Sequence, residues 1–193
     1  MGEIVNHKGD VRNLLVYQLA LKISMITEIF VQRFLTRGSR TIDQMQQAAR
    51  SCKQNIVEGS QAASTSKETE IKLTNVARAS LGELEEDYMD YLLFHQLPLW
   101  GKNHPRIFRL RAYIKTLDFK DNYQALCRTL PAEEFCNLAI TLIKQTQYLL
   151  DRLIASQEKR FLEEGGIREA MTRARLKYRN DRRDWNYRGD RKD

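Results

Sequence analysis

Polar side chains of the types used in catalysis and binding are concentrated in residues 44–59, QMQQAARSCKQNIVEG. Asn55 and Glu58 are three residues apart in a segment with helical spacing, so both would face a neighbouring helix. Gly59 follows directly, and we expect the helix to end near it. The two side chains form either a polar site or an interhelical hydrogen-bond network that sets the packing register. We favour the network, because half-paired buried polar groups are costly.

A second helical segment, residues 76–84 (VARASLGEL), supplies the candidates to lie opposite this pair. Ser80 and Glu83 complete the set of residues that we interpret as a structural signature. Glu83 also begins the acidic run ELEED at 83–87. Such runs are usually solvated helix faces, and the alternative is a surface that binds basic tails.

Metal and cofactor chemistry has no recognisable motif in this sequence. A carboxylate-bridged di-iron site in a helical bundle needs Glu-x-x-His on facing helices. The three histidines are His7, His95 and His104, and Leu92 and Gly101 stand three residues before the last two. We therefore predict no metal and no cofactor.

Motifs for nucleophilic catalysis are also absent: there is no G-x-S-x-G and no phosphate-binding G-x-x-x-x-G-K-[ST]. Cys52, Cys127 and Cys136 are odd in number and include no C-x-x-C pair, which argues against a disulfide framework or a zinc site. Cys52 lies on an apolar stripe and is predicted to be buried. We expect a protein that is not an enzyme.

The basic C-terminal segment is the candidate for partner binding. The net charge is +7, and residues 168–193 contain ten basic and five acidic residues, a net of +5. A helix is expected over 167–179, followed by a polar tail at 180–193. Arginines interleaved with aromatic residues suit nucleic acid, since guanidinium groups contact phosphates and rings stack on bases. The candidate nucleic-acid-binding residues are Arg173, Arg175, Lys177, Arg179, Arg182, Arg183, Trp185, Tyr187 and Arg188.

Two alternatives stay open for the same segment. It is either a strap that packs on the acidic face of a neighbouring subunit or a solubilising tail with no specific partner. Four aspartates dilute its positive field: Asp181, Asp184, Asp190 and Asp193. If several copies assemble into a ring, weak contacts to nucleic acid gain avidity.

Long helices must position these residues, and the sequence predicts four. Apolar residues recur at helical spacing, strand-like alternation is absent, and no proline precedes Pro98. The predicted long helices span about 11–37, 41–59, 67–95 and 131–164, with shorter amphipathic helices at 106–116 and 121–129. Helix one is apolar over so much of its girth that we expect it to bury two surfaces, one in the core and one against a partner.

The fold class that follows is all-α. We predict an antiparallel up-down four-helix bundle over residues 1–164. A helical insertion at 97–130, between helices three and four, would cover one end of the bundle. Residues 165–193 would form a basic helical suffix and polar tail.

Capping patterns predict the helix ends. Thr41 with Gln44, and Thr65 with Glu68, match the capping box, in which two side chains satisfy two free N–H groups at a helix start. The Gly-Gly pair at 165–166 should end the fourth long helix.

Composition sets the expected compartment. The chain has 193 residues, 42% of them hydrophobic, and a mean hydropathy of −0.57. No apolar run approaches the roughly 20 residues of a membrane-spanning helix, and the N-terminal residues do not resemble a signal peptide. We predict a cytoplasmic protein with no membrane partner.

The segments AARSCKQNIVEG and NVARASLGELEEDY resemble a bacterial four-helix-bundle family. That family includes the 23S rRNA intervening-sequence proteins and the accessory protein of diversity-generating retroelements. Residues 160–179 resemble the C-terminal suffix of one variant. The resemblance implies up-down bundles that assemble as rings, typically pentamers. It also implies binding to RNA or DNA, and a reverse transcriptase or another protein as partner.

Together these observations favour a non-enzymatic, ring-forming bundle protein that binds nucleic acid or a nucleoprotein through basic surfaces. The alternative is an oligomeric scaffold or adaptor whose suffix docks a protein partner or a neighbouring subunit.

Overall fold

Residues 10–189 are described by a computed structural model, with side chains described for residues 10–182. This part of the chain is helical and contains no strand. A 3-10 turn at Val11–Asn13 precedes seven α-helices: α1 Leu15–Phe34, α2 Arg40–Ala62, α3 Lys67–Phe94, α4 Pro105–Ile114, α5 Leu117–Thr129, α6 Ala132–Glu164 and α7 Ile167–Gly189. The all-α prediction is confirmed.

Four long helices enclose the main core. α1 packs against α2 and α6, α2 packs against α3, and α3 packs against α6. Phe30 of α1 lies at the centre, with its ring centroid 4.8 Å from that of Tyr88 and 5.4 Å from that of Phe135. Each such aromatic pair contributes about 0.5–1.5 kcal/mol beyond the burial of its surface. Predicted burial of Cys52 is confirmed, since that residue is fully buried.

The predicted ends of α1 were wrong at both termini. Leu14 and Leu35 both have extended backbone, so the α-helix is limited to the residues between them rather than spanning 11–37. Asp10 caps only the preceding 3-10 turn, where its carboxylate accepts a hydrogen bond from Arg12 N. Gly38, with a left-handed φ of 86°, lies in the loop between α1 and α2.

Both predicted capping boxes were misplaced. Ser39 rather than Thr41 caps α2, and its side chain accepts from Thr41 N at 3.3 Å. Ser66 rather than Thr65 caps α3, accepting from Thr69 N at 3.2 Å. Serine satisfies these N–H groups because its backbone is extended at both positions.

The prediction that α2 ends near Gly59 is wrong, because the helix continues to Ala62. Gly59 is instead buried where α2 crosses α3. A Cβ atom placed there would lie 3.4 Å from Glu70 O and 3.4 Å from Leu73 Cβ. The small residue therefore allows two helix backbones to approach closely.

The second surface of α1 is covered by the chain itself. α5 packs along α1, where Tyr123 Oη contacts Met25 Sδ at 3.1 Å. Arg33 of α1 donates to Cys127 O and, at 2.9 Å, to Leu130 O at the end of α5. Within the insertion, α5 thus lies along the flank of α1. Because α5 covers much of this surface, the wide apolar surface of α1 does not by itself indicate an external partner.

α1 also meets the length and composition criterion for crossing a membrane, with a mean hydropathy of 1.3. This corrects the estimate that no apolar run comes near that length. Core helices of soluble proteins pass the same test, and α1 packs against α2, α5 and α6.

The ends of α6 agree closely with prediction. Pro131 is the N-cap, and Gly165, with φ of 71°, is the C-cap. The following helix is longer than expected: α7 runs to Gly189 rather than to Arg179. Residues 180–189, predicted to be a polar tail, therefore continue a helix.

Candidate nucleic-acid interface

The start of α7 is held by the ends of two other helices. Lys67, at the start of α3, donates to Gly165 O at 3.1 Å and to Glu164 Oε2 at 2.5 Å. Arg173 reaches back to donate to Glu164 O at 2.5 Å. The side chain of Glu169 accepts a hydrogen bond from Gly166 N. These contacts fix the point at which α7 leaves the packed helices.

Beyond that point α7 presents its side chains to solvent. Every described side chain from Met171 to Arg182 is exposed. Tyr178, for example, keeps 67% of its surface accessible. The helix is therefore available to a partner over at least three turns.

One face of α7 is an arginine face, which we define as Arg168, Arg175, Arg179 and Arg182. At 3.6 residues per turn, spacings of i, i+7, i+11 and i+14 place these side chains on the same side of a helix. No acidic residue shares this face within the described side chains, since Glu169 and Asp181 project elsewhere around the helix. Among the described side chains, the arginine face is a stripe of positive charge without an acidic residue on it.

The remaining predicted residues divide between another face and the undescribed side chains. Arg173 and Lys177 lie off the arginine face, on the side of Glu169. Arg168 was missed by the sequence prediction, although its i+7 spacing from Arg175 was a usable signal. The backbone of four predicted residues lies in α7, but their side chains fall outside those described: Arg183, Trp185, Tyr187 and Arg188.

α7 also carries an apolar stripe, which we define as Ile167, Met171, Ala174 and Tyr178. Their spacing of i, i+4, i+7 and i+11 places them along one side of the helix, beside the arginine face. Ile167 and Met171 keep 38% and 56% of their surface accessible. An apolar stripe in this position normally packs against another surface.

The polar signature forms only part of the network that we expected. Asn55 Nδ2 donates to Ser51 O at 2.8 Å and to Ser51 Oγ at 3.1 Å, and Ser80 Oγ donates to Ser51 Oγ at 3.0 Å. Ser51, which the prediction missed, thus links α2 to α3. Glu58 and Glu83 are exposed and take no part. Both were wrongly placed on the packed face.

The acidic run on α3 is solvated only in part. Glu83 and Glu86 are exposed, whereas Glu85 forms an ion pair with Lys144 of α6 at 3.1 Å. Asp87 is half-buried. Burial, with the nearby carboxylates of Asp90 and Glu83, raises the pKa of Asp87 to about 6.

The most buried charge of the described chain was not anticipated. Glu70 of α3 is 2% exposed and accepts from Gln157 Nε2 at 3.1 Å and from Arg160 Nη2 at 2.5 Å. These partners belong to α6 and are 87 and 90 positions away in sequence. This cluster joins α3 to α6, and Glu70 lies about one turn along α3 from Lys67, which contacts the end of α6.

The cysteines are placed as structural residues. All three are buried, and desolvation raises the pKa of each thiol to about 12. Thiols with so high a pKa stay protonated near neutral pH and are poor nucleophiles. Among the described residues, no group of three or more His, Cys, Asp or Glu side chains is arranged to hold a metal ion.

These features define a helical protein with a packed body and an exposed amphipathic basic helix. Comparison with protein-family models, with curated proteins and with solved structures found no match to this chain. The family suggested by residues 44–59 and 76–84 stays a prediction.

Proposed function

We propose that this chain is a non-enzymatic, oligomeric bundle protein that binds RNA or DNA through the arginine face of α7. The observation that carries the proposal is the stripe of four exposed arginines on a helix whose side chains extend into solvent. Arginine forms bidentate contacts with phosphate. A helix with arginine on one face can follow a nucleic-acid backbone.

Charge distribution supports this assignment. Residues 168–193 have a net charge of +5, while the other 167 residues have 22 basic and 20 acidic residues, a net of +2. Nucleic-acid binding by such a segment is largely electrostatic and depends on the release of counterions. In a ring of identical subunits, several arginine faces would act together and raise the overall affinity.

The body that presents α7 fits an antiparallel up-down four-helix bundle of α1, α2, α3 and α6. The loops 35–39 and 63–66 are short, and short loops join neighbouring antiparallel helices. The contacts close a circuit in which α1 packs on α2, α2 on α3, α3 on α6 and α6 on α1. In this arrangement α4 and α5 are the insertion and α7 is the suffix.

A salt-titrated binding assay tests the proposal with matched variants of the full chain. Arg175→Gln/Arg179→Gln removes two charges from the arginine face. Arg37→Gln/Arg40→Gln removes two exposed charges from the body. Loss of two phosphate contacts should lower the slope of log K against log salt by about 1.8 for duplex DNA.

The expected result is weaker binding and a shallower slope for the α7 variant, with the body variant close to the parent chain. Equal effects of the two variants would show that only overall charge matters. Absence of binding to structured RNA and to DNA at low salt would refute the proposal.

A second candidate function rests on the apolar stripe of α7. In this alternative the chain is a scaffold or adaptor, and α7 docks a protein: a neighbouring subunit, a reverse transcriptase or another partner. Exposure of Ile167, Met171 and Tyr178 favours it, because a solvated helix has no need of an apolar side.

Deletion of residues 167–193 separates the two functions. Loss of nucleic-acid affinity with an unchanged assembly mass supports the first. Loss of assembly, or of a protein captured by the full chain, supports the second. Native mass spectrometry gives the number of subunits, which we propose to be five in a ring.

A further inference from the structure

A cavity lies between the insertion and α6, and none of its lining residues belongs to α7. Its volume is about 530 Å³, within the range of small-molecule sites in proteins. The segment 99–102 and helix α4 form one wall, and α6 forms the other. Apolar side chains line its interior, including Leu99, Ile107 and Ile140.

The charged side chains that line this cavity all carry the same sign. Four cations contribute to it: Lys102, Arg111, Lys115 and Lys144. No acidic side chain lines it within the described residues. Lys144 is ion-paired with Glu85 at 3.1 Å, which leaves three cations without an ion pair among the described residues. Three unneutralised positive charges around one cavity favour an anion with several charged oxygens.

The wall of the cavity also offers an aromatic surface. Tyr148 of α6 lines it and keeps 60% of its surface exposed. Trp100 forms a rigid part of the wall: its indole N–H donates to Glu133 Oε1 at 2.7 Å, and its backbone N–H donates to Asn137 Oδ1 at 2.7 Å. An exposed tyrosine beside cations suits a ligand that has both a planar ring and phosphates.

We propose that this cavity is a binding site for a nucleoside phosphate. The phosphates lie at Lys102, Arg111 and Lys115, and the ring packs on Tyr148 against the apolar wall. The ligand is either a free nucleotide or one unstacked nucleotide of a strand, since both present the same chemistry. The site is separate from the arginine face of α7 and does not depend on it.

The full chain carrying Trp185→Phe tests this, because Trp100 is then the only tryptophan and reports on the cavity wall. We expect ATP to change its fluorescence saturably, with a Kd below about 1 mM. Inorganic triphosphate and adenosine should each bind about tenfold more weakly or worse, since each lacks one part of the ligand. Isothermal titration calorimetry measures the same affinities if the fluorescence does not respond.

Matched variants locate the site. Arg111→Gln/Lys115→Gln should weaken ATP binding by about tenfold or more, because hydrogen bonds to charged groups are the strong ones. Tyr148→Ala should weaken ATP and adenosine but leave triphosphate unchanged. Lys120→Gln/Arg128→Gln removes two exposed charges from α5, outside the cavity, and should have no effect.

A flat calorimetric titration at about 1 mM ATP overturns the proposal, as does equal weakening by the two double variants. Competition distinguishes the sources in the chain carrying Arg175→Gln/Arg179→Gln. An oligonucleotide that displaces ATP there assigns the site to a strand, and failure to displace assigns it to free nucleotide. Loss of nucleic-acid binding by α7 would leave the ATP result unchanged.

Discussion

Removal of the buried carboxylate of Glu70 gives the sharpest test of how the body of this protein is held together. Glu70 is 2% exposed and accepts hydrogen bonds from Gln157 and Arg160 of α6. Glu70→Ala leaves the Gln157 amide without this acceptor, and the loss of a partner for a buried group costs about 1–3 kcal/mol of stability. It also opens a small cavity where the side chain had packed.

The loss of Arg160 as an ion-pair partner adds less than in a fully buried pair. Breaking a fully buried pair costs about 3–5 kcal/mol, but the Arg160 side chain is 32% exposed and can turn to water. We therefore expect Glu70→Ala to lower the free energy of unfolding by about 2–4 kcal/mol. Glu70→Gln keeps the shape and one acceptor, and should cost about half as much.

Urea denaturation, followed by far-ultraviolet circular dichroism, measures both changes. Glu86→Gln is the control, because it removes an exposed carboxylate from the same helix and should stay within about 0.5 kcal/mol of the parent chain. A loss below about 0.5 kcal/mol for Glu70→Ala would refute the reasoning. It would mean that the cluster is solvated or that its partners find other acceptors.

Three further substitutions test separate features. Asp87→Asn should raise the free energy of unfolding by about 1 kcal/mol at pH 8, a figure reduced because Asp87 is partly exposed. The pKa of Asp87 is raised to about 6, so this gain should shrink as the pH falls through 6 and vanish near pH 4. Urea titrations at several pH values measure the gain. Gly59→Val should lower the melting temperature, with a cost of at least about 2 kcal/mol, because two helix backbones meet there; Gly59→Ala should cost much less. Tyr88→Phe removes the partner of the buried Thr27 hydroxyl, bonded at 3.1 Å, and should cost about 1–2 kcal/mol in urea denaturation.

The period of apolar residues was enough to predict most helices. It located α3 and α6 to within one or two residues, and it correctly buried Cys52. Gly165 was recognised as the end of α6, because a residue with φ of 71° after a helical run favours glycine. These properties depend on residues within one or two helical turns of each other, so the order of residues in the sequence is enough to predict them.

Helix caps were harder to predict because several neighbouring residues have the right chemistry. Within the pairs Ser39/Thr41 and Thr65/Ser66, the residue with extended backbone is the one that caps the helix. That backbone conformation depends on how the loop packs. The end of α7 was also difficult to predict. Because α7 continues beyond Arg179, its arginines divide between the arginine face and a second face of mixed charge.

Only the tertiary structure decided which polar residues are buried and what covers each apolar surface. Glu58 and Glu83 looked suited to an interhelical network, yet they are exposed, and Glu70 is the buried carboxylate. Its partners are 87 and 90 positions away, so no local pattern could identify them.

The cover of α1 by α5 likewise depends on a contact between distant segments. The sequence by itself determined an all-helical chain with a basic end, because helical periodicity and charge are local properties. The arrangement of those helices determined the cavity beside α6 and the exposure of α7, because both arise from packing between elements far apart in the chain.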